Sequence, residues 1–334
     1  MSLRMACVGF RHGHVTSVYQ TAKELDYIEI VAAVEEDVEA RAAFVEPMGV
    51  EITHETMDEM MGDVDFDLLS CVDYYGKRGS IVIQALEAGK HVITDKPMCT
   101  KRDELQRIRQ LCRQNGLEVQ IALTMRYGAA YQSMVRIVRD GGIGEFCTGI
   151  ILGQHPLAYG SRPMWYFEEG KQGGTINDLF IHGTDMIGWT TGLGFAKVIA
   201  AEAWNARADW APFFQDSAQV VYELSNGSKL MGDCSYLAPE QAHAPWQFYL
   251  WGTEGHVHLC GQELVWQRAG EGDMPVEIKA ETEFGSPLED FASHLEKGTE
   301  RWLSMEDCFK AQMASLAGQE AADSGRRDMG VPEI

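Results

Sequence analysis

Over roughly its first 120 residues the chain alternates short apolar runs with helix-like segments, and this alternation constrains the fold more than any other feature. Met5–Phe10 is a short apolar run that turns at Gly9, and Thr16–Leu25 reads as a helix. Ile28–Val34 is a β-branched run with apolar residues on both faces, as a strand buried in a parallel sheet requires. Asp37–Met48 has helical composition and Leu68–Val72 is another strand. Ser80–Ala88 is a helix stopped by Gly89, followed by the strand His91–Thr94, the helix Lys101–Gln114 and the strand Glu118–Leu123. Strands alternating with helices mean βαβ units. The expected fold here is α/β, a doubly wound parallel sheet of the dinucleotide-binding type.

The second half differs in character. After a helix at Tyr131–Arg139 come strand-like runs at Phe146–Gly153, Val198–Ala203, Ala218–Leu224, Lys229–Tyr236, Gln247–Trp251, Val257–Leu259 and Glu263–Gln267. They are interrupted by one helix near Ile176–Thr190, and helices return at Leu288–Lys297 and Met305–Asp323. Strand runs with segregated helices predict an α+β domain carrying one large, open, mixed or antiparallel sheet. The length of 334 residues suits two domains, placed at 1–124 and 125–334.

The formal charge of −22 disfavours nucleic acid and anionic lipid as partners. No apolar run approaches the ~20 residues needed to span a bilayer, and the N-terminus has no signal-peptide pattern, so a cytoplasmic protein is expected. The eight cysteines form no C-x-x-C, and most read as small buried hydrophobes. His256 and His258 share a strand face without a third ligand nearby, and no metal is expected.

Three places carry chemistry. Gly9-Phe10-Arg11-His12-Gly13-His14 lies where the first strand enters the first helix, the position of a pyrophosphate fingerprint. Only the first glycine of G-x-G-x-x-G is in register, so an ordinary strand–helix turn is the competing reading. Glu35, with Glu36 beside it, closes the second strand, where an acid accepts the ribose hydroxyls of NAD and repels a 2′-phosphate. Lys96 follows the fourth strand and is held out of the α region by Pro97, in the crevice position of an open sheet. In the helix after Gly173-Gly174, Asp178, His182, Asp185 and Trp189 form a stripe opposite Ile176, Leu179, Phe180, Gly183 and Ile187. Asp178 one turn before His182 is the spacing of an acid that orients an imidazole. The alternatives are a capping box between Thr175 and Asp178, and a core histidine.

Together these positions resemble the glucose–fructose oxidoreductase/inositol dehydrogenase/MocA family of NAD(P)-dependent oxidoreductases. The markers are the Gly9 turn, Glu35, Ala85–Val92 leading into Asp95-Lys96-Pro97, Arg126-Tyr127, Gly141–Glu145, Gly173-Gly174 with Asp178, His182 and Asp185, and Ser324-Gly325-Arg326. The resemblance implies a Rossmann domain followed by an open-sheet domain. It implies Lys96 as the residue that orients the reacting hydroxyl, His182 as acid/base and Asp178 as its partner. Implied cofactor contacts are Gly9 to His14, Glu35, Glu36, Cys71, Val72, Asp73, Lys96 and Arg126. Lys96, Arg126, Tyr127, Trp165, Asn177, Asp178 and His182 are the implied substrate contacts. Two departures stand out: Asp95 replaces the usual Glu, and Cys71–Arg78 replaces the usual Thr-Pro-x-x-x-His.

The expected function is NAD-dependent transfer of hydride to or from a secondary hydroxyl or ketone of a sugar, polyol or sugar acid, with NADP disfavoured. An NAD-using glycoside-cleaving enzyme and a non-catalytic cofactor-sensing regulator are the alternatives. A homodimer or homotetramer is expected, because a monomer would expose the open sheet.

Overall fold

The computed structural model describes residues 2–240 and 246–334. They form two compact units, one of residues 2–123 with 284–308, the other of 124–240, 246–283 and 309–334.

The first unit is built on a five-stranded, wholly parallel sheet in the order β2-β1-β3-β4-β5. Its strands are β1 (Leu3–Val8), β2 (Ile28–Val34), β3 (Leu68–Cys71), β4 (His91–Thr94) and β5 (Val119–Ile121). The sequence order reverses on either side of β1, so a crevice opens at the carboxyl ends of β1 and β3. The helices His14–Glu24, Tyr75–Glu87 and Arg102–Asn115 connect the strands. The expected helix at 37–48 is broken by a π turn, Arg41–Val45. A short helix at Met57–Asp63, capped by a reciprocal Thr56–Glu59 box, was not legible in the pattern.

The chain passes from the first unit to the second after Leu123, returns at Phe284 and leaves again after Cys308. Residues 284–308 join the first unit because Leu288, Phe291 and Ala292 pack into the same core as Leu3, Met5, Phe10 and Leu68. His294 and Arg301 add bonds to Glu118 at 2.9 and 2.6 Å.

The second unit is built on a nine-stranded mixed sheet. Its strands are β6 (Phe146–Pro156), β7 (Phe195–Trp204), β8 (Ser217–Leu224), β9 (Lys229–Ala238), β10 (Gln247–Gly252), β11 (Gly255–Cys260), β12 (Glu263–Arg268), β13 (Gly272–Asp273) and β14 (Met329–Gly330). Only β6 and β9 run parallel. Direct register partners line up Val221, Met231, Ile150, Tyr249, His258 and Val265 in one row across six strands. Each of them keeps solvent exposure in the chain, so one sheet face is apolar and open. His258 stacks on Tyr249 with ring centroids 4.0 Å apart, which gives it a place in this row.

Candidate active site

In the first unit, β1 leads to Gly9, whose φ of +80° favours glycine. A Cβ there would lie 2.6 Å from the backbone of Asp73, so the glycine lets the β3 loop pass closely. The helix His14–Glu24 begins at Gly13 with no side-chain cap and no acid in its first turn. Both features suit a pyrophosphate against that helix end.

The carboxylates here are tied to the surrounding loops. Glu35 is buried; its Oε2 accepts the Phe10 amide at 2.5 Å, and its Oε1 accepts the Asp37 amide and Arg11 Nε, each at 2.8 Å. Burial pushes Glu35 up from the ordinary carboxylate range, with those amides and Arg11 opposing. Three bonds thus tie Glu35 to the turn, and the exposed acid beside it, Glu36, is paired with Lys77 at 3.1 Å. Arg11 also faces Asp37 at 3.3 Å and Asp73 at 4.0 Å. Cys71 and Val72 are buried, and the Asp73 carboxylate accepts the Tyr74 amide at 2.7 Å.

Asp95 is the centre of this region. Its carboxylate meets Arg78 Nη2 at 3.0 Å, His12 Nδ1 at 3.2 Å and His14 Nδ1 at 2.9 Å. Burial would raise Asp95, but His14 and Arg78 hold it well below the usual range. Burial lowers His12 to about 4, its bond to Asp95 notwithstanding. Among the described residues this is a His–His–Asp group with metal-like spacing. The buried Arg78 and the positive helix end make the spot unfavourable for a cation. The two sequence departures thus meet: Arg78, which ends the altered Cys71–Arg78 segment, pairs with the aspartate that stands in place of the usual glutamate. Lys96 is buried next door, its carbonyl accepting Arg78 Nη1 at 2.6 Å and its Nζ 5.9 Å from the centre of the Tyr75 ring.

In the second unit, Gly173 and Gly174 both have positive φ, and a Cβ on Gly174 would overlap Gln319. Gln319 accepts the Ile176 amide at 2.9 Å and so starts the helix. That helix opens with a π turn, Ile176–Phe180, and continues as Ile181–Thr191. Single π turns inside helices recur at functional sites. Capping by Thr175 does not occur; its hydroxyl donates to the Gln215 carbonyl instead.

The helix is buried around nearly its whole circumference, so the stripe is not a solvent-facing one. Asp178 is buried, and its Oδ2 accepts the Tyr236 hydroxyl and Gln172 Nε2, the latter at 3.3 Å. His182 is buried with its ring 5.6 Å from Trp246. Asp185 is bound by Arg126 through three contacts of 2.6–3.1 Å, and that guanidinium lies 5.1 Å from the Trp189 ring centre. Asn177 accepts Gln312 Nε2 at 2.7 Å and the Ser315 hydroxyl at 3.0 Å. Arg126 and Asn177, expected to hold ligands, are thus enclosed in the core by their own partners. Tyr127 ends a 3₁₀ turn, and Trp165 stacks on Tyr166 with centroids 4.1 Å apart. Tyr236 and Gln172 were missed, and β9 lies too far along the chain from Asp178 for spacing to reveal the bond.

The first unit thus has a dinucleotide-type sheet with an uncapped helix at its switch point, and the second holds a buried Asp178 one turn before a buried His182. Two family models cover most of the chain: the oxidoreductase family with NAD-binding Rossmann fold matches residues 3–123, and the GFO/IDH/MocA C-terminal domain matches 131–258. The chain belongs to the Gfo/Idh/MocA oxidoreductase family, and its first unit is an NAD-binding Rossmann domain. It is 23% identical over 233 residues to inositol 2-dehydrogenase 3 of Saccharopolyspora erythraea, covering 69% of this chain and 65% of that protein. To D-xylose dehydrogenase of Paenarthrobacter nicotinovorans it is 20% identical over 315 residues, covering 83% and 80%. An Agrobacterium radiobacter oxidoreductase solved with NAD+, L-tartaric acid and magnesium shares the fold, with a TM-score of 0.81, 18% identity and coverage of 98% of each chain. No helix among the described residues is long and apolar enough to cross a membrane.

Proposed function

We propose that the protein is an NAD-dependent dehydrogenase acting on a secondary hydroxyl, or the corresponding ketone, of a sugar, polyol or sugar acid. The observation that carries this reading is the buried Asp178 carboxylate, held by Tyr236 and Gln172 one turn before His182. The inositol and xylose dehydrogenases among its relatives support the substrate class.

The cofactor supplies the hydride acceptor when bound. His182 takes the hydroxyl proton during oxidation and returns it during reduction, and Asp178 favours the imidazolium that forms. Lys96 donates a hydrogen bond to the substrate oxygen. Tyr127 and Trp165 contact the substrate, whereas Arg126 and Asn177 support the helix from within. The amides of the Gly9–His14 turn take the pyrophosphate, and Glu36 replaces Glu35 as the acid facing the ribose and repelling a 2′-phosphate. The open row from Val221 to Val265 packs against a second copy, giving a homodimer or homotetramer.

The test is NADH formation, followed by absorbance, over a panel of inositols, pentoses, hexoses and sugar acids. Turnover of one of them with NAD, and weaker turnover with NADP, is expected. Release of free sugar from a glycoside without net NADH would replace the dehydrogenase reading by glycoside cleavage.

A further inference from the structure

We infer that the second unit carries a subsite for a second sugar ring, so that the substrate is a two-ring saccharide and not a bare polyol or monosaccharide. This rests on the dehydrogenase reading and narrows its substrate class.

A cavity of about 220 Å³ opens among Leu157, Tyr159, Arg207, Trp210, Tyr236 and Glu240. It is smaller than the ~300–1,000 Å³ of a complete small-molecule site, and therefore suits part of a ligand. At its rim Tyr159 and Trp210 are 62% and 47% exposed, with ring centroids 4.8 Å apart. Exposed aromatic area concentrated at one place marks a binding surface more often than a bare one. Behind the rim the rings continue inward: Phe167 lies 4.6 Å from Trp210, Phe214 5.2 Å from Phe167, and Tyr236 5.2 Å from Phe214. Tyr236 is the link that matters. Its ring lines the cavity, and its hydroxyl donates to Asp178. A ligand in the cavity is one tyrosine side chain away from the acid proposed to support His182.

The walls are built in advance. Asp216, buried, accepts the amides of Ala206, Arg207 and Ala208 at 2.8 Å each and the Ser217 hydroxyl at 2.9 Å, which fixes the loop carrying Trp210. Arg162 ties the opposite wall: its Nε donates to the Leu157 carbonyl at 2.5 Å, and its guanidinium stacks 4.9 Å from the Tyr236 ring centre. Preorganised walls lower the cost of binding. The lining chemistry selects the occupant. Aromatic faces accept the C–H face of a pyranose, while the exposed Arg207 and Glu240 at the margin offer one donor and one acceptor group to its hydroxyls.

The test compares maltose, cellobiose, lactose and gentiobiose with glucose and galactose as substrates, for the wild type, Trp210→Ala and Tyr159→Ala. Calorimetric binding of the same sugars to the NADH-loaded protein runs in parallel. At least one two-ring sugar should exceed its constituent monosaccharides in kcat/KM by about tenfold or more, mainly through KM. Trp210→Ala should cost that sugar at least about ten times more than it costs the monosaccharide. Equal losses on both, or no advantage for any two-ring sugar, overturn the subsite while leaving the dehydrogenase reading intact. If no sugar forms NADH, that reading fails by itself, and calorimetry decides the subsite. Binding of a two-ring sugar that is lost in Trp210→Ala supports it, and the absence of such binding overturns it. Sedimentation that changes in Trp210→Ala without any change in sugar binding would assign the surface to a second copy, and would also overturn the proposal.

Discussion

Each unit buries an arginine–aspartate pair beside a residue proposed for catalysis, and the two pairs are built differently. In the first unit Asp95, next to Lys96, takes one nitrogen of Arg78, and its oxygens are shared with His12 and His14. The remaining donors of Arg78 reach the carbonyls of Asp73, Lys96 and Pro97. In the second unit Asp185, three residues after His182, faces Arg126 squarely, with both carboxylate oxygens engaged at 2.6–3.1 Å. The first pair is a hub that joins three loops and includes His12, whose protonation the hub resists. The second is a bidentate clamp that fixes one helix, a geometry suited to rigidity.

The largest effect should come from the residues that the two pairs support. Replacing His182 by Ala should lower the hydride-transfer rate by about 10²–10⁴, the usual worth of a positioned acid/base, with NADH affinity in fluorescence titration little changed. Near-normal turnover would remove the base role from the clamp side and shift it to Lys96.

Breaking either pair comes next. Arg78→Met and Arg126→Met should each lose about 3–5 kcal/mol, because a buried carboxylate is left without its cation. The Arg78 loss should be the larger in urea unfolding, since three carbonyls also lose their donor. Equal losses would erase the distinction between hub and clamp.

The pH response is a sharper discriminator. His12 is held near 4 in the folded chain against about 6.5 unfolded, so below pH 6.5 the unfolded chain binds the proton first. Stability from this group is complete above pH 6.5 and falls as the pH drops toward 4, by about 3 kcal/mol in all. Asp95, held below its unfolded value, adds a further loss only under more acidic conditions. His12→Gln should flatten the melting temperature between pH 6.5 and 4; an unchanged slope would take His12 out of the hub.

The smallest effect is expected at Tyr236. Tyr236→Phe removes a bond to the Asp178 carboxylate, worth about 1.5–3 kcal/mol of stability at most. If Asp178 supports His182 as proposed, the acid limb of the oxidation rate should also move to higher pH, because the carboxylate then shares less of its charge with other donors. A stability loss with an unmoved limb would make Tyr236 a structural contact only.

Much of this was legible in the residue pattern, and for local reasons. Apolar runs such as Ile28–Val34 can settle only inside a parallel sheet, and helix stops such as Gly89 follow from backbone freedom. The Asp178–His182 spacing and the position of Lys96 after β4 are likewise set within a few residues. What a side chain faces across the fold is a different matter. Glu35 sits at the expected strand end, and its bonds to the Phe10 amide and Arg11 come from packing of the Gly9–Arg11 turn against it. Asn177 precedes Asp178 in the same turn, yet the helix register aims it at Gln312 and Ser315. Tyr236 reaches Asp178 from a strand 58 residues away, and residues 284–308 return to the first core through Leu288 and Phe291. Strand, helix and turn depend on neighbours along the chain, so residue order was enough to set them. Hydrogen-bond partners of buried groups depend on which surfaces meet when the core closes, so they emerge only with the packed fold.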